Sequence, residues 1–454
     1  MLVFFIFAGM LMGSEGIGGV YFDDAAAAST IGNFALCYII FAGGMATSWR
    51  SAKEVLLPGI LLSTAGVLLT ALLVAAAARL LLGMTFLHGM LLGSVVSCTD
   101  AASVFSILRS NNMNLRPPLA PLLELESSSN DPAAYMLTVM MISLIKSESG
   151  PAGFAVTFVL QMGAGAALGA AFGFAGAWII NRIRLNSDGL YPVVAAAMAA
   201  LVFSAVQLLH GNGLLGVYIA AMVMGNVKLV RKTSLVRFFD GFSWLMQILV
   251  FVTLGLLVFP SHLRAVWLQA LAVSAVLMFL IRPAVVFLTL QRFRYPAKAK
   301  LFVSWVGLRG ASSIVFATYA LREGISDADV MFDTVFFISL SSVIIQGSLL
   351  KPAAYLLGQI EDGDKTLVSR SFTDYEEDIE GKLYELRAAK DSRAVGMTVS
   401  DMKFPDSVRI MIIKRGESTI APTGQTQIAE DDVLMVTAAD TDVLLSLKER
   451  FGLA

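Results

Sequence analysis

Twelve nearly uninterrupted apolar stretches dominate this chain of 454 residues: 1–13, 31–47, 55–82, 87–108, 117–145, 151–180, 190–209, 212–226, 240–259, 265–291, 301–321 and 333–358. About 20 apolar residues in a helix cross roughly 30 Å of hydrocarbon, and most of these stretches are that long. Lipid offers backbone N–H and C=O groups no partner, so such segments fold as helices. The pattern therefore predicts an all-α polytopic membrane protein. Composition agrees, with 57% hydrophobic and 15% charged residues, outside the range of an ordinary soluble domain. With a net charge of −1, no nucleic-acid reading arises from the charge balance. Cys37 and Cys98 lie within apolar stretches and His88, His210 and His262 near segment ends, with no HExxH or CxxC spacing. That excludes a disulfide framework and leaves an intramembrane hydrolase without its catalytic groups.

Segment 1–13 is short, about 20 Å at the helical rise. It starts at Met1 and has neither the basic leader nor the cleavage site of a signal peptide. The reading is an N-terminus from which one or more helices are missing. Orientation follows from Lys and Arg, which favour cytoplasmic loops. Alternate loops hold Arg50, Lys53; Arg109, Arg116; Arg182, Arg184; Lys228, Arg231, Lys232, Arg237; and Arg292, Arg294, Lys298, Lys300, against Arg79, Lys146, Arg264 and Arg322 on the opposite side. This places the C-terminal tail in the cytoplasm.

After residue 358 the character changes. We divide the chain into a membrane domain (1–358), an acidic linker with a short helix (359–390; Glu361, Asp362, Asp364, Glu376, Glu377, Asp378) and a small α+β cytoplasmic domain (391–454). Strands are expected at 408–414 and 431–436, a turn at Arg415-Gly416-Glu417, and a helix at 440–451. So small a module buries little core alone, which suggests dimerisation through it.

Function is written in polar residues at membrane depth, where an ionised side chain costs about 2.5–3.5 kcal/mol even on the lenient scale. Ser94, Ser97, Thr99 and Asp100 crowd the middle of 87–108, as they would where a helix breaks and its freed backbone lines a cavity. The run Glu126-Ser-Ser-Ser-Asn-Asp131 sets Ser127 and Asp131 on one helical face and Glu126 and Asn130 on another. A carboxylate and hydroxyl on one face suit a hard monovalent cation or a proton. Glu126 reads instead as a structural partner for the deep Arg282. Gly307-Leu-Arg309-Gly310 marks a second break, with Arg309 compensating either helix ends or Asp100, so that 87–108 and 301–321 become counterparts in an inverted repeat of two crossing discontinuous helices. Gly165, Gly169 and Gly173 form a close-packing face.

Together with Phe7-Ala-Gly-Met-Leu-Met-Gly-Ser-Glu-Gly-Ile-Gly-Gly19, Gly213-Leu-Leu-Gly and Asp240-Gly-Phe-Ser-Trp-Leu, these motifs resemble the monovalent cation/proton antiporter superfamily, in particular bacterial NhaP-type potassium/proton antiporters with the NhaA/NhaP-like fold. Ile420-Ala-Pro-Thr-Gly-Gln-Thr and Asp431-Asp-Val-Leu-Met-Val resemble a TrkA-C domain. The resemblance implies a homodimer in a bacterial inner membrane that exchanges K⁺, or Na⁺, for H⁺. It makes Asp131 the shared cation and proton site, completed by Ser127, Asp100 and Thr99, with Asn130 marking the electroneutral branch. Glu126, Arg282 and Arg309 are then its supporting ion pairs. No cofactor is implied in the membrane domain. TrkA-C-type modules bind nucleotides in related transporters, cyclic di-AMP in some bacteria, which implies such a ligand here; Arg409, Lys414 and Arg415 either meet its phosphates or are simply surface strand residues. Where relatives carry an acidic residue, this chain has Ala42. A ligand-gated cation channel and a non-transporting membrane sensor remain the alternatives.

Overall fold

Each apolar stretch folds as helix, and the residues that interrupt it decide where it stops. The computed structural model describes residues 2–110, 113, 115–146, 151–360, 368–369, 382–389, 392–405, 408–416, 418–438 and 441–452. Two compact units, Met1–Glu361 and Asp362–Ala454, divide the chain.

The first unit is helical. It begins with α1 (Leu2–Met12), α2 (Ala25–Ala46), α3 (Trp49–Ala52), α4 (Leu56–Ser63), α5 (Ala65–Leu81), α6 (Phe86–Val95), α7 (Ala101–Ser110), α8 (Leu119–Ile145) and α9 (Pro151–Arg182). It continues through α10 (Leu190–Leu208), α11 (Gly213–Asn226), α12 (Lys232–Leu257), α13 (Pro260–Val276), α14 (Arg282–Thr289), α15 (Ala297–Trp305), α16 (Ala311–Arg322), α17 (Ala328–Ser348) and α18 (Leu350–Leu356). Among the described residues seven helical stretches are long and apolar enough to cross a membrane, and α1, α6 and α11 are shorter apolar helices. Length and composition alone thus mark seven spans among the described residues and do not confirm the count of about twelve apolar segments read from the sequence.

Local chemistry sets the ends. Asp24 accepts the Ala27 amide at 2.9 Å to start α2, and Asn212 accepts that of Leu215 at 3.0 Å to start α11. A π-helical turn at Leu277–Ile281 joins α13 to α14 just before Arg282-Pro283, where proline withholds an N–H from the ladder. The glycine stripe of α9 packs on α11: a Cβ at Gly169 would lie 2.8 Å from the Gly216 Cα, so only glycine permits this approach.

The second unit holds a five-stranded antiparallel sheet in the order β1-β2-β5-β3-β4: β1 (Val368–Ser369), β2 (Lys382–Arg387), β3 (Val408–Arg415), β4 (Ser418–Ile420) and β5 (Val433–Ala438). It ends in α19 (Thr441–Phe451). β3, β5 and α19 lie where the pattern placed two strands and a helix. Gly416 takes a φ of +59° in the β3–β4 turn, a conformation glycine adopts freely; Glu417 lies outside the described residues. β1 and β2 fall within 359–390, read above as linker. Its acidic residues, Glu361, Asp362, Asp364, Glu376, Glu377 and Asp378, and its expected short helix lie outside the described residues.

Candidate functional site

Two helices stop midway and meet at their broken ends. The extended residues between α6 and α7 pass those between α15 and α16, and the Asp100 amide donates to the Leu308 carbonyl at 2.8 Å. A Cβ at Gly310 would stand 2.6 Å from that of Asp100, so the strands touch only because residue 310 has no side chain. Four half-helix ends converge here, each with a partial charge of about half an electron. Asp100 answers the positive ends. Its Oδ1 accepts the Ser103 amide at 3.1 Å and its Oδ2 the Ser103 hydroxyl at 2.5 Å, which caps α7, and the carboxylate abuts the start of α16. Arg309 answers the negative ends by donating to the Ser97 and Cys98 carbonyls at 2.7 and 2.5 Å. Of the two roles open to Arg309 in the sequence, the structure places it on the helix end.

α8 runs past this crossing. Ser127 donates to the Thr99 carbonyl at 2.5 Å, Asn130 Nδ2 donates to the Thr99 hydroxyl at 2.6 Å, and the Thr99 amide returns a bond to Asn130 Oδ1 at 3.3 Å. These bonds fasten the break to α8. Glu126 projects elsewhere: it takes the Arg282 Nη2 at 2.7 Å, with both residues at most 3% exposed. A Cβ at Gly307 would lie 2.6 Å from the Arg282 Nε, so that glycine makes room for the guanidinium.

Asp131 is 7% exposed and, among the described residues, has no basic partner of this kind. Its Oδ2 accepts the Ser312 hydroxyl at 2.9 Å, while its buried Oδ1 has no hydrogen-bond partner. Beside it Pro132 lacks the N–H that the Ser128 carbonyl would otherwise receive in a helix. A cavity of about 300 Å³ reaches Asp131. It extends toward the C-terminal end of α2 at Thr47 and the N-terminal part of α12 at Arg237 and Asp240, the side that carries the basic loops. Thr99, Asp100 and Ser127 also line it. Such oxygens suit a hard cation; among the described residues no cluster of three His, Cys, Asp or Glu side chains suits a heavier metal.

On the other side of Asp131 the helices are closed. The rings of Tyr135, Phe316 and Tyr319 lie 5.8–6.1 Å apart, joining α8 to α16. Tyr319 donates its hydroxyl to Asn33 of α2, and Gln207 of α10 donates to the Tyr135 hydroxyl at 3.3 Å.

Thus Asp131, Ser127, Thr99 and Asp100 gather at one cavity, Asn130 braces them, and Glu126, Arg282 and Arg309 stand behind. The sequence reading missed Ser312, Glu124, Ser128 and the α12 residues Asp240, Ser243 and Gln247, all of which line the cavity. A usable signal existed for two groups. Glu124, Ser128 and Asp131 follow i, i+4, i+7 on α8, and Asp240, Ser243 and Gln247 follow i, i+3, i+7 on α12.

The sodium/hydrogen exchanger family model matches residues 1–355, and that of the TrkA-C domain residues 383–452. The chain is 33% identical over 440 residues to the K(+)/H(+) antiporter NhaP2 of Shewanella sp. (strain MR-4), covering 96% of this chain and 76% of that protein. It is 34% identical, with the same coverage, to the K(+)/H(+) antiporter NhaP of Alkalimonas amylolytica. The Na(+)/H(+) antiporter NhaH of Halobacillus dabanensis is 27% identical over 315 residues, 66% of this chain and 76% of that one. Among solved structures, the sodium proton antiporter MjNhaP1 from Methanocaldococcus jannaschii shares the fold, with a TM-score of 0.69, 23% identity, and coverage of 79% of this chain and 92% of that chain.

Proposed function

This chain belongs to the sodium/hydrogen exchanger family and is a multi-pass cation/proton antiporter with a TrkA-C domain; from that premise we propose that it exchanges K⁺, with Na⁺ as a second substrate, for H⁺ at Asp131. The observation that carries this reading is the half-partnered carboxylate: one oxygen on Ser312, the other unpartnered at the end of a cavity. A bare carboxylate out of water is costly. A proton neutralises it and so does an alkali cation, which makes the two ligands mutually exclusive. Only a neutral core crosses cheaply, so the loaded states move and the empty one stays.

Ser127, the Thr99 backbone and Asp100 complete the ligand set, and Asn130 holds the break in register. With one carboxylate alternating between two monovalent ligands, each cycle is electroneutral. Rigid movement of the α6–α7 and α15–α16 crossing, with α8, against α2 and α12 would close the present cavity and part the Tyr135–Phe316–Tyr319 layer. K⁺ preference rests on the relatives' names. We further read the protein as a homodimer of a bacterial inner membrane, its C-terminal domain cytoplasmic and responsive to a small ligand such as a nucleotide. Arg415 is committed to Asp432 and the Gln427 carbonyl, and we read Arg409 as the candidate phosphate contact in that domain.

The test is exchange in proteoliposomes, with K⁺, Na⁺ or Li⁺ driving dissipation of a pH gradient. Asp131→Asn abolishes every signal while the protein stays monodisperse. Undiminished exchange by that variant refutes the assignment.

A further inference from the structure

A second and larger cavity, of about 1050 Å³, lies apart from Asp131. Lys53, Arg116, Arg294 and Lys298 converge on it from three segments far apart in sequence, and among the described residues Glu54 is the one acidic residue in its lining. Among the described residues, Lys53, Arg294 and Lys298 enter no ion pair. Cations gathered round one concavity repel each other unless an anion joins them. One wall is apolar: Leu57 and Ile60 of α4 line the cavity and are 62% and 43% exposed. These residues belong to the basic loops that the charge asymmetry assigns to a single membrane face.

We propose that this cavity binds a phosphoryl oxyanion, carried by the headgroup of an anionic phospholipid whose acyl chains follow Leu57 and Ile60. A phosphodiester presents a single negative charge with two equivalent oxygens, which a guanidinium such as Arg294 can chelate while Lys53 and Lys298 add point charge. Basic pockets at the cytoplasmic ends of membrane helices suit such headgroups. The site is independent of the exchange reaction at Asp131.

The experiment uses the full-length protein in detergent, titrated with phosphatidylglycerol in mixed micelles and, separately, with inorganic phosphate and pyrophosphate, with native mass spectrometry and thermal stability as readouts. Removing one cation by Lys53→Gln, Arg294→Gln or Lys298→Gln weakens phosphatidylglycerol binding about fivefold, the effect of one basic residue near a charged headgroup. Lys298→Arg retains binding, and Arg79→Gln, outside the cavity, leaves it unchanged. If pyrophosphate shows the same residue dependence and the lipid none, the phosphoryl site stands and its source is soluble. The proposal fails if neither ligand distinguishes the cavity variants from Arg79→Gln. Gel filtration and near-UV circular dichroism of each variant separate loss of binding from loss of fold.

Discussion

Glu126 and Asp131 stand five residues apart on α8, and their surroundings are opposite. Glu126 meets a buried guanidinium at 2.7 Å, and its charge is spent inside the protein. Asp131 meets one hydroxyl and leaves an oxygen unpartnered against a cavity. A buried ion pair is rigid because either partner alone is intolerable. An unpaired carboxylate is unstable in the other sense: it is satisfied only by something that arrives. A carboxylate on one helix thus serves as a clamp or as a seat, according to what the neighbouring helices bring.

The contrast breaks hardest at Asp131. Asp131→Asn removes all pH-gradient-driven cation exchange, yet it deletes a buried charge without orphaning a partner, so thermal stability holds or rises. A variant that loses exchange and stability together would place Asp131 with Glu126 as a structural group.

Glu126→Gln gives the reverse pattern. It strands the Arg282 charge in the interior, and breaking such a pair costs about 3–5 kcal/mol. Thermal unfolding in detergent falls accordingly, with exchange lost only in proportion to unfolded protein. Replacing both by apolar residues, Glu126→Leu with Arg282→Met, recovers much of the stability. If the double variant is no more stable than the single ones, the pair is not the isolated clamp described here.

How much of this contrast could be read from residue order follows the same physics. A deep arginine demands an anion, so Glu126–Arg282 was legible, and Gly307, Gly310 and the polar middle of 87–108 announced two breaks. Ser312 was not legible. Several hydroxyls follow the second break, and only the crossing geometry selects the one that reaches Asp131. Glu124 and the α12 stripe were legible by period but were outweighed by the louder run at 126–131. In the second unit, Tyr384 and Leu386 of β2 are buried and Arg387 is exposed, as in a strand with one face inward. Its charge hid it inside an acidic segment.

A smaller effect sharpens the picture of the seat. Ser312→Ala removes the hydroxyl that donates to Asp131 Oδ2, and a hydrogen bond to a charged group contributes about 1.5–3 kcal/mol. The apparent KM for the cation rises by about tenfold or more while the maximal rate persists, because the carboxylate remains but is no longer held in place. Ser312→Thr restores the affinity. An unchanged KM would mean that the hydroxyl does not position the site.

The smallest effect comes from the second unit, where a carboxylate–arginine pair sits next to water instead of lipid. Asp432 accepts Arg415 through two bonds of 2.8 Å and the Ala429 amide at 2.7 Å, while Arg415 is 42% exposed. Burial alone would raise the Asp432 carboxyl, but the arginine and the amide outweigh it and hold it below the usual carboxylate value. Its stabilising effect is therefore fully present above the unfolded value of about 3.9 and is lost as pH falls through the lowered folded one. Hydrogen exchange on the full chain measures this locally at Ala388 and Ala429, whose amides bond to Asp432. At neutral pH, Asp432→Asn reduces their protection, corrected for intrinsic rates. In acid below the folded value the native chain falls to the same level, because protonation leaves Arg415 facing a neutral group. Protection that persists equally in both chains across that range would show that the water-facing pair is dispensable, which sets it apart from Glu126–Arg282, where no solvent is at hand to replace a lost partner.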